Sequence, residues 1–204
     1  MVLAKSMESL MEGNSVIRKM FELGREMAKK YGKDAVYDFS LGNPVAEVPY
    51  EVKNAIISLL ENQDPHEIHG YMQNAGFEDV RDAVAEHLKK RFSVDYTKEN
   101  ILLCAGAAGG LNILMRCLLD EEDEVLCFAP YFTEYKSYVS HYKGKLTVIP
   151  VKENDFSLNV EEAEKRIGRR TKAVILNNPN NPSGIIYSEE ELRALALMLE
   201  KAEE

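Results

Sequence analysis

The sequence predicts an α/β fold, an α/β/α sandwich around a mainly parallel sheet, with additional helices ahead of it. Three observations carry this. From residue 101 onward, short apolar runs alternate with helical patterns, the order expected of parallel strands joined by crossover helices. The runs are apolar throughout rather than every second residue, as in strands buried on both faces. Capping-box pairs mark where two of the intervening helices begin.

The elements follow in order. Ser15 to Tyr31 places Val16, Ile17, Met20, Phe21, Leu23 and Met27 at helical spacing and stops at Gly32. Val36 to Leu41 is a short extended piece ending at Gly42-Asn43-Pro44. Pro49 opens a second helix with Val52, Ala55, Ile56, Leu59 and Leu60 on one face. Residues Asn62 to Gly70 are polar and predict irregular chain, and Phe77 to Phe92 predicts a third helix. Ile101 to Cys104 is the first predicted strand, feeding Ala105-Gly106-Ala107-Ala108-Gly109-Gly110 and a helix through Leu119. The next strands are Val125 to Ala129, Lys145 to Val151 and Ala173 to Asn177. Between them lie a helix from about Phe132 to Lys143 and one from the Asn159/Glu162 box to Ile167; a last helix starts at the Ser188/Glu191 box.

Composition bounds the function. The 204 residues are 45% apolar and 29% charged, ordinary for a globular protein. The net charge is −9, from 25 basic and 34 acidic residues without a basic cluster, which argues against a nucleic-acid partner. No apolar run reaches membrane-spanning length, and no signal peptide is evident in Met1 to Ser15, so the expected location is cytoplasmic. Cys104, Cys117 and Cys127 lack CxxC spacing and are expected to be small buried hydrophobes in a reducing compartment. His66 and His69 stand three apart without a framework of further ligands, so no metal site is expected.

Three loops could carry chemistry. Leu176-Asn177-Asn178-Pro179-Asn180-Asn181-Pro182-Ser183-Gly184 follows a strand and precedes a helix. Its amides could either brace a turn or face a crevice and hold an oxygen and a carboxylate of a ligand, because an amide both donates and accepts. Gly106-Ala107-Ala108 opens a helix, where free N–H groups suit a phosphate and small residues let it approach; close packing of helix on strand would equally call for small residues. Pro130-Tyr131-Phe132 follows a strand, and its aromatics could either pack as rim residues or stack on a planar ring.

Taken in order from Phe39 to Gly184, these segments resemble the first half of a class I/II aminotransferase, of the pyridoxal-phosphate fold that includes aspartate aminotransferase. The resemblance implies the large domain of that fold, truncated, with 1–48 as a helical arm and small-domain segment and 49–204 as the first, incomplete part of the cofactor-binding domain. It implies pyridoxal 5′-phosphate as cofactor, amino acid and 2-oxo acid as substrates, and a homodimer in the full-length protein.

The resemblance also implies residue roles. Gly106, Ala107 and Ala108 match the phosphate cup, Phe132 the aromatic stacked on the pyridine ring, and Asn181 the amide on the cofactor's phenolic oxygen and beside the substrate carboxylate. Gly42, in Ser40-Leu41-Gly42-Asn43-Pro44, matches the glycine lying against that carboxylate. Tyr71, in His69-Gly70-Tyr71, matches the tyrosine reaching the phosphate of the neighbouring subunit. Positions 107 and 108 are both Ala where many relatives carry a hydroxyl, which puts more weight on backbone N–H groups. Family members are about twice as long, so the lysine that forms the Schiff base is expected beyond residue 204, no catalytic residue is assigned here, and the sequence reads as a fragment. Two other functions fit the same residues: a carbon–sulfur β-lyase on the same scaffold, and a non-catalytic remnant or sensing domain.

Overall fold

The computed structural model describes residues 16–39, 42, 46–152 and 155–203. It divides into two compact units, Met1–Tyr71 and Met72–Glu204.

The first unit is helical. Helix α1 (Val16–Tyr31) ends where Gly32 takes a φ of 93° and its amide bonds the Ala28 carbonyl at 3.0 Å. A positive φ there suits glycine and stops the helix. Val36 is extended, residues 36–39 join no strand among the described residues, and Leu41 lies outside them. Helix α2 spans Tyr50–Asn62. A short helix, α3 (Pro65–His69), replaces the irregular chain expected there. Its cause is local: Asp64 Oδ1 accepts from the His66 amide at 2.8 Å, and Pro65 occupies the first turn, where its missing N–H costs nothing.

The second unit holds the sheet. Helix α4 (Glu78–Phe92) carries Glu78 and Asp79 in its first turn and Lys89, Lys90 and Arg91 in its last, matching its dipole. The chain then runs through α5 (Gly106–Leu118), β1 (Glu124–Phe128), α6 (Glu134–Ser140), β2 (Lys145–Ile149), α7 (Val160–Arg166), β3 (Thr171–Ile175) and α8 (Glu189–Glu203). The three strands are parallel in the order β2-β1-β3. The expected strand at Ile101 to Cys104 does not form. These residues pair with no strand among those described; the Leu103 amide instead bonds the Ala75 carbonyl at 2.9 Å. A strand exists only through its ladder, and a four-residue apolar run cannot declare its partner.

Helices cover both faces of the sheet, and β1 is buried from Val125 to Phe128. Val125 packs on one side with Met115 and Leu119 of the α5 region, Val139 of α6, and Ala173 and Ile175 of β3. Leu126 and Phe128 pack on the other with Ile149, Ala163 of α7, and Leu195 and Met198 of α8. Alternate residues of one strand thus feed two cores, which explains the absence of polar residues from Val125 to Phe128.

The cysteines divide. Cys127 is buried in β1, and burial pushes its thiol up to about 12. Cys104 and Cys117 are exposed, contrary to the expectation that all three would be buried. Cys104 lies in the stretch that fails to join the sheet, and Cys117 falls on the outward side of α5. A thiol reagent at pH 8 should therefore titrate two groups at once and the third only on unfolding; three fast groups would contradict the burial of Cys127.

The start of α8 is pinned by one carboxylate. Glu191 Oε2 accepts from the Ser188 amide at 2.8 Å while Ser188 Oγ accepts from the Glu191 amide at 3.2 Å, completing the capping box. Glu191 Oε1 also accepts from the Leu158 amide at 2.9 Å, tying α8 to the segment before α7. Burial works to raise the Glu191 pKa, but the bonds from Ser188 and Leu158 outweigh it and leave the carboxyl below its usual range. A depressed folded-state pKa gives stability that is complete above the unfolded value of about 4.3 and is lost as pH falls through the folded value. Glu191→Gln should flatten the acid limb of an unfolding-midpoint profile below about pH 5. A variant profile parallel to wild type would remove Glu191 from the account.

No helix among the described residues is long and apolar enough to cross a membrane.

Candidate functional site

Because β1 and β3 are parallel neighbours, the loops at their C-terminal ends emerge side by side. In open parallel sheets, ligands bind in the crevice outside these ends. The β1 loop carries Pro130, Tyr131 and Phe132, and the β3 loop carries the Asn/Pro run.

The amides of that run split into two groups. Asn177 Oδ1 accepts from the Asn181 amide at 2.8 Å, and Asn178 Oδ1 accepts from the Tyr187 amide at 3.1 Å. Asn180 is buried; its Oδ1 accepts from Ser183 N–H at 3.1 Å and Ser183 Oγ at 2.7 Å. These three side chains brace the loop, so the picture of every amide facing a crevice is too broad. The Asn181 side chain is exposed and makes no hydrogen bond among the described residues, leaving its donors and acceptor for a ligand.

Asn180 Nδ2 also donates to the Pro130 carbonyl at 3.2 Å, joining the two loops across the strand ends. Its side-chain role had only a local clue in the sequence, the spacing to Ser183; a contact fifty residues away leaves none.

Phe132 lies two residues beyond Pro130. Its ring meets Tyr135 edge to face, with centroids 5.8 Å apart and planes at 81°. Tyr135 is buried and fixed by Tyr131, at 6.4 Å. Phe132 remains 37% exposed, so it has a supported edge and surface left for a planar partner. Burial pushes the phenols of Tyr135 and Tyr187 up, so both are neutral at physiological pH.

Gly106, Ala107 and Ala108 form the first turn of α5. Gly106 has a φ of 71°, and a Cβ built there would meet nothing within 4 Å. The requirement for glycine is conformational, and the space beside it is open. The first turn contains no acidic residue, and Ala105 offers no side-chain cap. The Gly106 amide is taken by the Cys104 carbonyl at 2.9 Å, which leaves the first-turn N–H groups of Ala107 and Ala108 for an anion. Helix α5 is tied to the end of α6 by Asn112 Oδ1 and His141 Nδ1 at 3.3 Å.

Gly42 and Tyr71 fall in the first compact unit, and both are exposed. Among the described residues no group of His, Cys, Asp and Glu is arranged to hold a metal ion. A cavity of about 290 Å³ lined by Ile167, Thr171, Ala173 and Leu199 opens at the opposite end of β3 and contains none of these loop residues.

Segment by segment, the groups suit a flat, phosphate-bearing ring: N–H groups at the start of α5, an aromatic with free surface and an uncommitted amide; the hydrogen bond that joins segments is the one between the β1 and β3 loops. No Asp, Glu, His, Cys, Lys or Arg lies in residues 105–109, 129–133 or 176–184, so these segments bring no carboxylate, imidazole, thiol or cationic side chain to a ligand.

A family model described as aminotransferase class I and II matches residues 34–203. A probable aspartate/prephenate aminotransferase of Aquifex aeolicus is 36% identical over 162 residues, covering 79% of this chain and 40% of that protein. The crystal structure of an aminotransferase from Eubacterium rectale superposes with a TM-score of 0.93 at 39% identity, over 98% of this chain and 51% of that one. Aspartate aminotransferase of Thermus thermophilus, solved with maleate, superposes with a TM-score of 0.80 at 27% identity, over 92% of this chain and 48% of that one. The chain spans about half the length of these relatives.

Proposed function

Because the chain belongs to the class I and II aminotransferase family, we propose that it supplies the cofactor-holding part of a pyridoxal 5′-phosphate-dependent enzyme that moves an amino group between an amino acid and a 2-oxo acid. The observation that carries the reading is the pair of loops at the ends of β1 and β3. They are joined through Asn180 and leave the Phe132 ring and the Asn181 amide uncommitted. When bound, the cofactor supplies the electron sink and the amino-group carrier.

The chain's own residues bind and orient. The N–H groups of Ala107 and Ala108 would hold the phosphate, aided by the positive end of the α5 dipole, and Gly106, whose own amide bonds the Cys104 carbonyl, lines the cup with open space. Phe132 covers one face of the ring. Asn181 donates to the ring oxygen, favouring its ionised form, and steadies the substrate carboxylate. An amide has no proton to give near neutral pH, so Asn181 is not the general base. Gly42 is assigned to the substrate carboxylate, and Tyr71 to the phosphate of a neighbouring subunit in a homodimer. The Thermus thermophilus relative's maleate, a dicarboxylate, makes aspartate the first amino donor to test.

No lysine lies in the three site segments, 105–109, 129–133 and 176–184, and none of this chain's lysines is assigned to covalent capture of the cofactor. Pyridoxal phosphate followed by borohydride should therefore label surface lysines diffusely. Mass spectrometry finding one lysine labelled stoichiometrically would overturn this assignment. Pyridoxamine 5′-phosphate, which forms no covalent bond with lysine, should bind saturably at one site per chain and be displaced by phosphate. A titration without saturation would contradict the proposed function.

A further inference from the structure

We propose that Asn180 is a positioning residue that sets the Phe132 loop against the Asn181 amide, so that ring and amide meet the cofactor as one unit; this rests on the cofactor reading above. Among the described residues, Asn180 is the one polar residue that is buried, 7% exposed. A buried amide is costly unless satisfied, and this one is satisfied in two directions. Its oxygen takes both bonds from Ser183, its main-chain amide donates to the Ile185 carbonyl at 2.9 Å, and its carbonyl accepts from Gly184 at 2.7 Å. All of these lie inside the β3 loop. The Asn180 side chain also bonds the Tyr187 phenol, within the same loop, and the bond that leaves the loop is the one from Nδ2 to the Pro130 carbonyl at 3.2 Å.

The position of this bond in the chain gives it its consequence. Asn180 adjoins Asn181, and Pro130 stands two residues before Phe132. The loop-internal bonds fix Asn180, and the single outward bond transmits that fixed position to the aromatic loop. Proline has no main-chain donor, so its carbonyl is the group by which a neighbouring loop can hold residue 130 through the main chain. Preorganising two contacts in this way spares the cofactor the cost of ordering them.

Two variants separate the outward bond from the inward ones. Asn180→Asp keeps shape and acceptor but sets an oxygen against the Pro130 carbonyl. Ser183→Ala keeps the outward donor and removes two bonds inside the loop, from Ser183 Oγ to Asn180 and from the Ile185 amide to Ser183 Oγ. In the folded chain, Asn180→Asp should shift the Phe132 ring resonances and the Asn181 side-chain NH2 resonances together, and weaken binding of pyridoxamine 5′-phosphate about tenfold, the upper range for one hydrogen bond. Ser183→Ala should leave the Phe132 resonances in place. Should the Asp variant fail to fold, Asn180→Ala, which adds no charge, is read by the same criteria. Unmoved Phe132 resonances in a folded Asn180 variant would overturn the proposal, as would an equal displacement in Ser183→Ala. If wild type binds no pyridoxamine 5′-phosphate, the cofactor reading fails and the resonances alone decide whether Asn180 couples the loops.

Discussion

Leu126→Ala is expected to lower the free energy of unfolding by about 3–5 kcal/mol, the range for truncating a fully buried leucine whose surroundings cannot collapse into the gap. Leu126 is fully buried in the central strand, bounded by Ile149, Ala163, Leu195 and Met198 from three further elements. Each of those is itself held on a helix or strand, so the cavity stays open. Set against a total of about 5–15 kcal/mol for a domain, the loss removes much of the stability. Leu197 of α8, 53% exposed, is the control, and Leu197→Ala should cost about 0.5 kcal/mol or less. Denaturant midpoints measure both; similar losses at the two positions would contradict the two-faced core.

Phe132→Ala should weaken binding of pyridoxamine 5′-phosphate by about 1–3 kcal/mol while changing stability little. Phe132 is 37% exposed, so truncation leaves a small cavity, whereas stacking would use the free surface. Phe92→Ala, at the exposed end of α4, should leave affinity unchanged. A folded Phe132→Ala chain with wild-type affinity would reduce Phe132 to a packing residue.

What was legible in the sequence was what is local. The periodicity of Val125 to Phe128, the stops at Gly32 and the caps at Asn159 and Ser188 depend on neighbours within four residues, and the structure follows them: Asn159 Oδ1 accepts from the Glu162 amide at 3.2 Å, though Glu162 turns its own carboxylate to Arg166 at 2.9 Å. The parallel α/β arrangement followed from stringing such pieces together. What was not legible required a distant partner. Ile101 to Cys104 has the composition of a strand but no ladder here, which also leaves Leu102 and Cys104 exposed. In the Asn run, composition could not distinguish the bracing amides of Asn177, Asn178 and Asn180 from the free one of Asn181. That division depends on Tyr187 and Pro130, nine and fifty residues away from their partners.

In the proposed function one ligand engages the start of α5, the β1 loop and the β3 loop together. Mapping backbone and side-chain resonances during a titration with pyridoxamine 5′-phosphate tests it most directly. The amides of Gly106, Ala107 and Ala108, the Phe132 ring and the Asn181 side-chain NH2 should shift along one binding curve with one dissociation constant. Shifts confined to other surfaces, or separate curves for the three segments, would contradict it.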